Sequence, residues 1–153
     1  MRRIDREIKN LEEIVDVLER CDTIRLGLLG EEYPYVLPLS FGYEVQAGKL
    51  LIYIHGAGIG EKHDRIAECN RVCVEADICY GFKETPQGIT TLYESMIGFG
   101  RIETIEDREA RHGLDLILEH ANYRDYAYDE RALSMTTVHR IRLEKVTGKR
   151  NRP

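Results

Sequence analysis

No stretch of about 18 apolar residues occurs anywhere in the 153-residue chain, so the sequence offers no transmembrane helix. Positive charge is in deficit. Twenty-two Lys and Arg stand against 27 Asp and Glu, giving a net charge of −5 and a pI near 5.6. That balance argues against nucleic acid as a partner, since such binders are usually basic. Cysteine pairs at CxxC spacing are missing. Cys21, Cys69, Cys73 and Cys79 are scattered, whereas a zinc site needs tight, paired ligands. They read as buried free thiols in a reducing compartment. The opening MRRIDREIKN carries basic residues with no apolar segment behind them, unlike a signal peptide, so the cytoplasm is expected. Neither an internal repeat nor a low-complexity tract is present.

What is present suits one domain over residues 1–153, with 42% hydrophobic and 32% charged residues. A chain of this length buries roughly 70% of its unfolded surface, so neither disulfide nor structural metal is needed. Ile4, Ile8, Leu11, Ile14 and Leu18 recur at helical steps and predict a helix over residues 5–20, with Asp5 available as its cap. Strands are expected at 23–29 and 35–44. Pro38 makes the second an edge or bulged strand, and Gly42 suggests a bend or a close backbone approach. Gln46-Ala47-Gly48-Lys49 is a hairpin turn, followed by a strand at 49–55. A short helix is expected over 60–69, a fourth strand over 71–79, and a loop over 80–91 on the strength of Gly81, Pro86 and Gly88. A glycine-interrupted fifth strand spans 92–105. A helix carrying Leu114, Ile117, Leu118 and Ala121 on one side follows, with His120 near its C-terminal end, where the helix dipole favours a cation. Residues 122–131, polar and tyrosine-rich, read as a loop or a short turn of helix, and Thr136–Val146 alternates as a sixth strand. The basic residues of 147–153 read as a flexible tail. Hairpin-length turns between the early strands exclude a doubly wound parallel sheet. An antiparallel barrel with flanking helices fits.

The stretch YIHGAGIGEKHDRI, residues 53–66, concentrates the candidate chemistry. Gly56, Gly58 and Gly60 let the backbone turn its N–H groups toward a ligand. A helix N-terminus behind such a loop is suited to an anion, and Lys62 and Arg65 lie beside it. The pattern matches neither GxxxxGK[ST] nor the full Rossmann glycine set. A plain surface loop and a His55–His63 metal pair remain alternatives on these residues alone. Tyr35, Phe41, Tyr43 and Tyr53 on neighbouring strands read either as core or as a platform for a planar ligand. Glu94 and Glu103 lie on opposite faces of one strand and do not form a catalytic carboxylate pair.

YVLPLSFGYE (35–44), LLIYIHGAGIGEKHDRI (50–66), NRVCVEAD (70–77) and YESMIGFGRIE (93–103), in that order, resemble the FMN-binding split-barrel proteins related to pyridoxamine 5′-phosphate oxidase. Within these the chain is most similar to the 5-nitroimidazole-reductase branch. The resemblance implies a mainly β fold with flanking helices, a six-stranded antiparallel split β-barrel working as a homodimer, and FMN in the groove between subunits. It places Pro38, Leu39, Ser40 and Phe41 beside the flavin ring. His55, Gly56, Ala57 and Lys62 fall at the phosphate end, with Arg65, Arg71 or Arg101 as a possible second cation. Ser95 and Met96 would come from the partner subunit. The implied activity is transfer of electrons from a reduced nicotinamide to a small acceptor such as a nitro compound or a quinone, with no metal. His55 is a candidate proton donor, because imidazole titrates near neutral pH. A flavin-binding protein without turnover, or a relative holding haem or a deazaflavin, is the alternative. His55, His63 and His139 are the candidate haem ligands, and His139 also reads as packed within its strand. Tryptophan is absent, whereas pyridoxamine 5′-phosphate oxidases carry a C-terminal substrate segment with tryptophan and arginine. That departure turns the expectation away from pyridoxamine phosphate as substrate.

Overall fold

The computed structural model describes residues 3–152. After a 3-10 turn at Ile4–Arg6 the order is β1 (Glu7–Ile8), α1 (Leu11–Glu19), β2 (Ile24–Leu28), β3 (Tyr35–Leu39), β4 (Gly42–Gln46), β5 (Lys49–Ala57) and α2 (Glu61–Glu68). There follow β6 (Arg71–Thr85), β7 (Gly88–Ile105), α3 (Asp107–His120), α4 (Glu130–Ser134) and β8 (Thr136–Asn151). Every pairing is antiparallel. The sheet runs β3-β2-β6-β7-β8-β5-β4, with β1 added to β8.

Six strands were expected and eight are present. Besides β1, the difference arises where one long strand was read over 35–44. The chain splits at Ser40-Phe41. β3 pairs with β2 at one sheet edge, Leu39 opposite Ile24, and β4 pairs with β5 at the other, Gly42 opposite Tyr53. Among the described residues no ladder joins β3 to β4, so the sheet curls without closing by hydrogen bonds. Pro38, with no N–H to donate, lies in the edge strand β3.

The first helix is shorter than its apolar periodicity implies. Asn10, not Asp5, caps it by accepting from Glu12 N at 2.9 Å. Ile8 keeps helical spacing but joins β1, where it lies opposite Gly148. A Cβ at Gly148 would stand 2.8 Å from Ile8 Cβ, so the glycine permits that contact. The expected tail at 147–153 is therefore strand through Asn151. It is fastened by ion pairs from Arg150 to Glu13 and from Arg152 to Glu94. The expected loop at 80–91 is also strand. Its breakers gather in a bulge between Cys79 and Gly81 and in the tip before Gly88, while Phe82, Lys83, Thr90 and Thr91 pair in the ladder.

The main core fills the curled sheet and receives α1 through Ile14, Val17 and Leu18. A second core lies outside the sheet, where α3 covers Leu51, Tyr53, Ile105 and Val138 through Ile117. Gly42 marks the close approach anticipated from sequence: a Cβ there would stand 2.4 Å from the Ile117 backbone nitrogen. All four cysteines are free. Cys21 alone is buried, and Cys79, at the bulge, is exposed.

Candidate functional site

β5 ends on His55-Gly56-Ala57, paired with Val138, Thr137 and Thr136 of β8. Gly58 and Gly60 then turn the chain into α2. Gly60 occupies the N-cap with φ 105°, a left-handed value suited to glycine, and supplies no side-chain cap. The first N–H groups of α2 thus lack the protein acceptor that a serine or aspartate cap would provide.

Lys62, on the first turn, folds back across the end of β5 and donates to the His55 carbonyl at 3.1 Å. The missing side chain at Gly56 makes this possible, because a Cβ there would lie 2.2 Å from Lys62 Nζ. Gly58 similarly admits Thr137, whose Oγ1 would stand 2.6 Å from an added Cβ. Burial lowers the Lys62 pKa, and burial followed by the Lys62 charge lowers that of His55. The cradle therefore combines a glycine-shaped concavity, uncapped N–H groups and a partly desolvated ammonium, a set of donors suited to a phosphate.

The second cation is not gathered here. Arg65 lies 3.6 Å from both Glu61 and Glu68. Arg101 bonds Glu144 and Asn70 at 3.1 and 3.2 Å. Arg71 lines a groove on the outer sheet face. The two histidines of the motif also part company. His55 is exposed and borders a cavity of about 180 Å³ under α3 and α4, with Leu114, Ile117, Tyr126, Tyr128 and Leu133. His63 instead faces His139, ring centroids 6.4 Å apart. His139 is fully buried, and its Nδ1 lies 3.2 Å from Thr104 Oγ1.

The segment 38–41 occupies the crossing from β3 to β4. Pro38 and Ser40 are exposed and Leu39 half-buried. Phe41, expected beside a ring-shaped ligand, is 1% exposed and packs on His120 at 4.3 Å, so its side chain belongs to the core. Met96, expected to serve the partner subunit, is likewise buried, while Ser95 is half-buried on β7 opposite Asp77 and Lys149.

Sequence reasoning missed two clusters. The tyrosines at 126 and 128 sit in a segment read as a loop or a short turn of helix, and only the fold brings them over His55. Glu94, dismissed as half of a carboxylate pair, is fully buried and accepts from Tyr80 at 2.6 Å, Arg20 at 2.8 Å and Arg152 at 2.5 Å. The only sequence signal for it was an acidic residue at an inward-facing strand position.

The fold defines a class: an open antiparallel β domain with flanking helices and a glycine-bearing strand-to-helix connection that carries Lys62. Residues 10–150 match the model of the pyridoxamine 5′-phosphate oxidase family, and the chain belongs to that family. No curated protein sequence matches it. Among solved structures it is similar to a putative 5-nitroimidazole antibiotic resistance protein from Bacteroides thetaiotaomicron, with 28% identity, TM-score 0.84, and coverage of 94% of this chain and 85% of that one. A FAD- and heme-binding protein from Mycobacterium smegmatis shares the fold at 19% identity, TM-score 0.81, covering 97% and 74%. The flavocytochrome Anf3 from Azotobacter vinelandii shares it at 18% identity, TM-score 0.77, covering 100% and 72%. Among the described residues no helix is long and apolar enough to cross a membrane.

Proposed function

We propose that this protein binds FMN and passes electrons from a reduced nicotinamide to a small planar acceptor such as a nitro compound or a quinone. The observation that carries the reading is the cradle at Gly56–Lys62, where an ammonium lies over a glycine-shaped strand end beside an uncapped helix. The family and the flavin-binding names of several fold relatives support it.

When bound, the flavin supplies the two-electron chemistry; the chain supplies binding, orientation and access. Lys62 and the first α2 amides hold the phosphate. Pro38, Leu39 and Ser40 border the ring, with backbone atoms contributing at Phe41. His55, exposed beside the apolar cavity and held below the usual imidazole pKa by burial and then by the Lys62 charge, is the candidate proton-exchanging side chain there.

A homodimer completes the site in this reading. Val36, Leu29, Phe99 and Ile97 are 60%, 55%, 50% and 40% exposed. Val36, Leu29 and Phe99, with Arg71, line a groove of about 680 Å³ on the outer face of β3-β2-β6-β7. So large an apolar surface calls for a partner. Ser95 lies on β7 two residues before Ile97, hence on the same face, and a second copy seated here receives it.

The test is the absorption spectrum and the released cofactor of purified protein. Flavin bands with FMN on release support the proposal, and reoxidation of the reduced protein by a nitroimidazole or quinone supports turnover. Released FAD, a Soret band, or no chromophore rejects FMN. In Lys62→Ala, FMN affinity falls at least about tenfold; unchanged affinity rejects the cradle.

A further inference from the structure

Among the described residues, three buried side-chain polar atoms have no hydrogen-bond partner, and two are ring nitrogens that belong together: His63 Nδ1 and His139 Nε2. Their rings lie 6.4 Å apart at 47°. His63 sits on the first turn of α2, next to Lys62. His139 comes up from β8, opposite Ile54 and Thr104. A buried nitrogen without a partner is costly, and two such nitrogens on neighbouring rings can be satisfied together by one bridging water.

We propose that His63 and His139 share a water-bridged hydrogen bond beneath the Lys62 cradle, and that this pair takes up one proton from solvent when a phosphate dianion binds above it. The inference rests on the cradle being a phosphate site. The groups bearing on the pair are few. From α2 come Lys62 and His63 themselves, with Glu61 and Asp64 exposed. β5 brings Ile54, with His55 on the opposite face of that strand, β7 brings Thr104 and β8 brings Thr137. No carboxylate is hydrogen-bonded or ion-paired to either ring among the described residues. With Lys62 unpaired, its positive charge helps keep His139 neutral, burial being the larger cause. A bound phosphate neutralises Lys62 and adds negative charge of its own, so both changes favour the protonated pair. Linkage then requires that protonation tighten phosphate binding by the same factor. The pair supplies the charge that Arg65 and Arg101, engaged elsewhere, do not.

The experiment is calorimetric titration of apo-protein with FMN, and separately with inorganic phosphate, at pH 6 and pH 8 in buffers of differing ionisation enthalpy. Histidine NMR titration with and without phosphate accompanies it. Free phosphate titrates at about pH 6 and releases a proton when it binds as the dianion, so uptake by the pair is read as a difference from variants that lack it. His63→Gln and His139→Gln keep a hydrogen-bonding group but cannot titrate there. The expected results are a net proton count at pH 6 more positive, by up to one proton, in the wild type than in each variant, a wild-type-to-variant affinity ratio severalfold larger at pH 6 than at pH 8, and a histidine midpoint that moves to higher pH with phosphate. Equal proton counts in the wild type and both variants, or no midpoint movement in the wild type, overturns the inference and leaves the FMN reading standing. A wild-type proton excess with inorganic phosphate but no FMN binding overturns the FMN reading and leaves the pair standing. Binding of neither anion overturns both. Should the variants fail to fold, the wild-type NMR titration decides alone.

Discussion

His139 is a titratable ring with no solvent contact, and burial, reinforced by Lys62 and His63, pushes its pKa down to about 4. Between pH 4 and the ordinary value near 6.5 the unfolded chain binds a proton that the folded chain does not. Its contribution to stability is therefore full above pH about 6.5 and lost as pH falls toward 4, a total of up to roughly 3 kcal/mol. His139→Gln should flatten the urea-midpoint profile across that window; an identical slope in parent and variant rejects the assignment. Glu94 behaves differently. Burial alone would raise its pKa, yet hydrogen bonds from Arg152, Tyr80 and Arg20 hold it below the usual carboxylate range. Glu94→Gln is expected to cost about 2 kcal/mol in urea unfolding, because it removes the charge around which Arg20 and Arg152 are arranged. Lys62 could be singled out from sequence because glycine spacing and a neighbouring cation are local signals. The Glu94 cluster could not, since its members are Arg20, Tyr80, Glu94 and Arg152, joined only by the fold.

At the scale of elements, α3 is held by a close approach. A side chain at Gly42 would collide with the α3 backbone at Leu116 and Ile117, and backbone cannot yield as a flexible side chain can. Gly42→Ala is expected to destabilise the protein by about 3 kcal/mol. Gly56→Ala meets only the mobile end of Lys62 and should leave stability nearly unchanged while weakening FMN binding. Comparing thermal midpoints with FMN titrations of the two variants separates a packing glycine from a cradle glycine. Element types were legible wherever periodicity and turn chemistry agreed, as at the Ala47-Gly48 turn with its two positive φ values. They were not legible where tertiary pairing overrode a local pattern. Ile8 keeps helical spacing but is a strand residue because Gly148 accepts it, and Phe82 to Thr91 hold their ladder despite a proline and two glycines nearby.

For the whole molecule, the outer apolar face predicts assembly. Phe99→Glu places a charge at its centre and should convert a dimer in sedimentation to a monomer with reduced flavin content; a variant that remains dimeric and fully yellow moves the interface elsewhere. The crossing at Ser40-Phe41 also bears on how the chain folds. β6 and β7 form a long hairpin from neighbouring sequence, and β8 adds to it, whereas β3 and β4, consecutive in the chain, end at opposite rims of the sheet. Local ladders form before distant ones, so the hairpin is the natural nucleus and the two rims are the last to settle. The segment 38–41 can take its final course only when both rims are in place. Amide exchange should then be slowest along the Val72–Asp77 ladder with Ser95–Gly100 and fastest at the Leu39-to-Gly42 passage. The surface proposed to meet the flavin ring is, on this account, the least protected part of the sheet until a ligand fastens it.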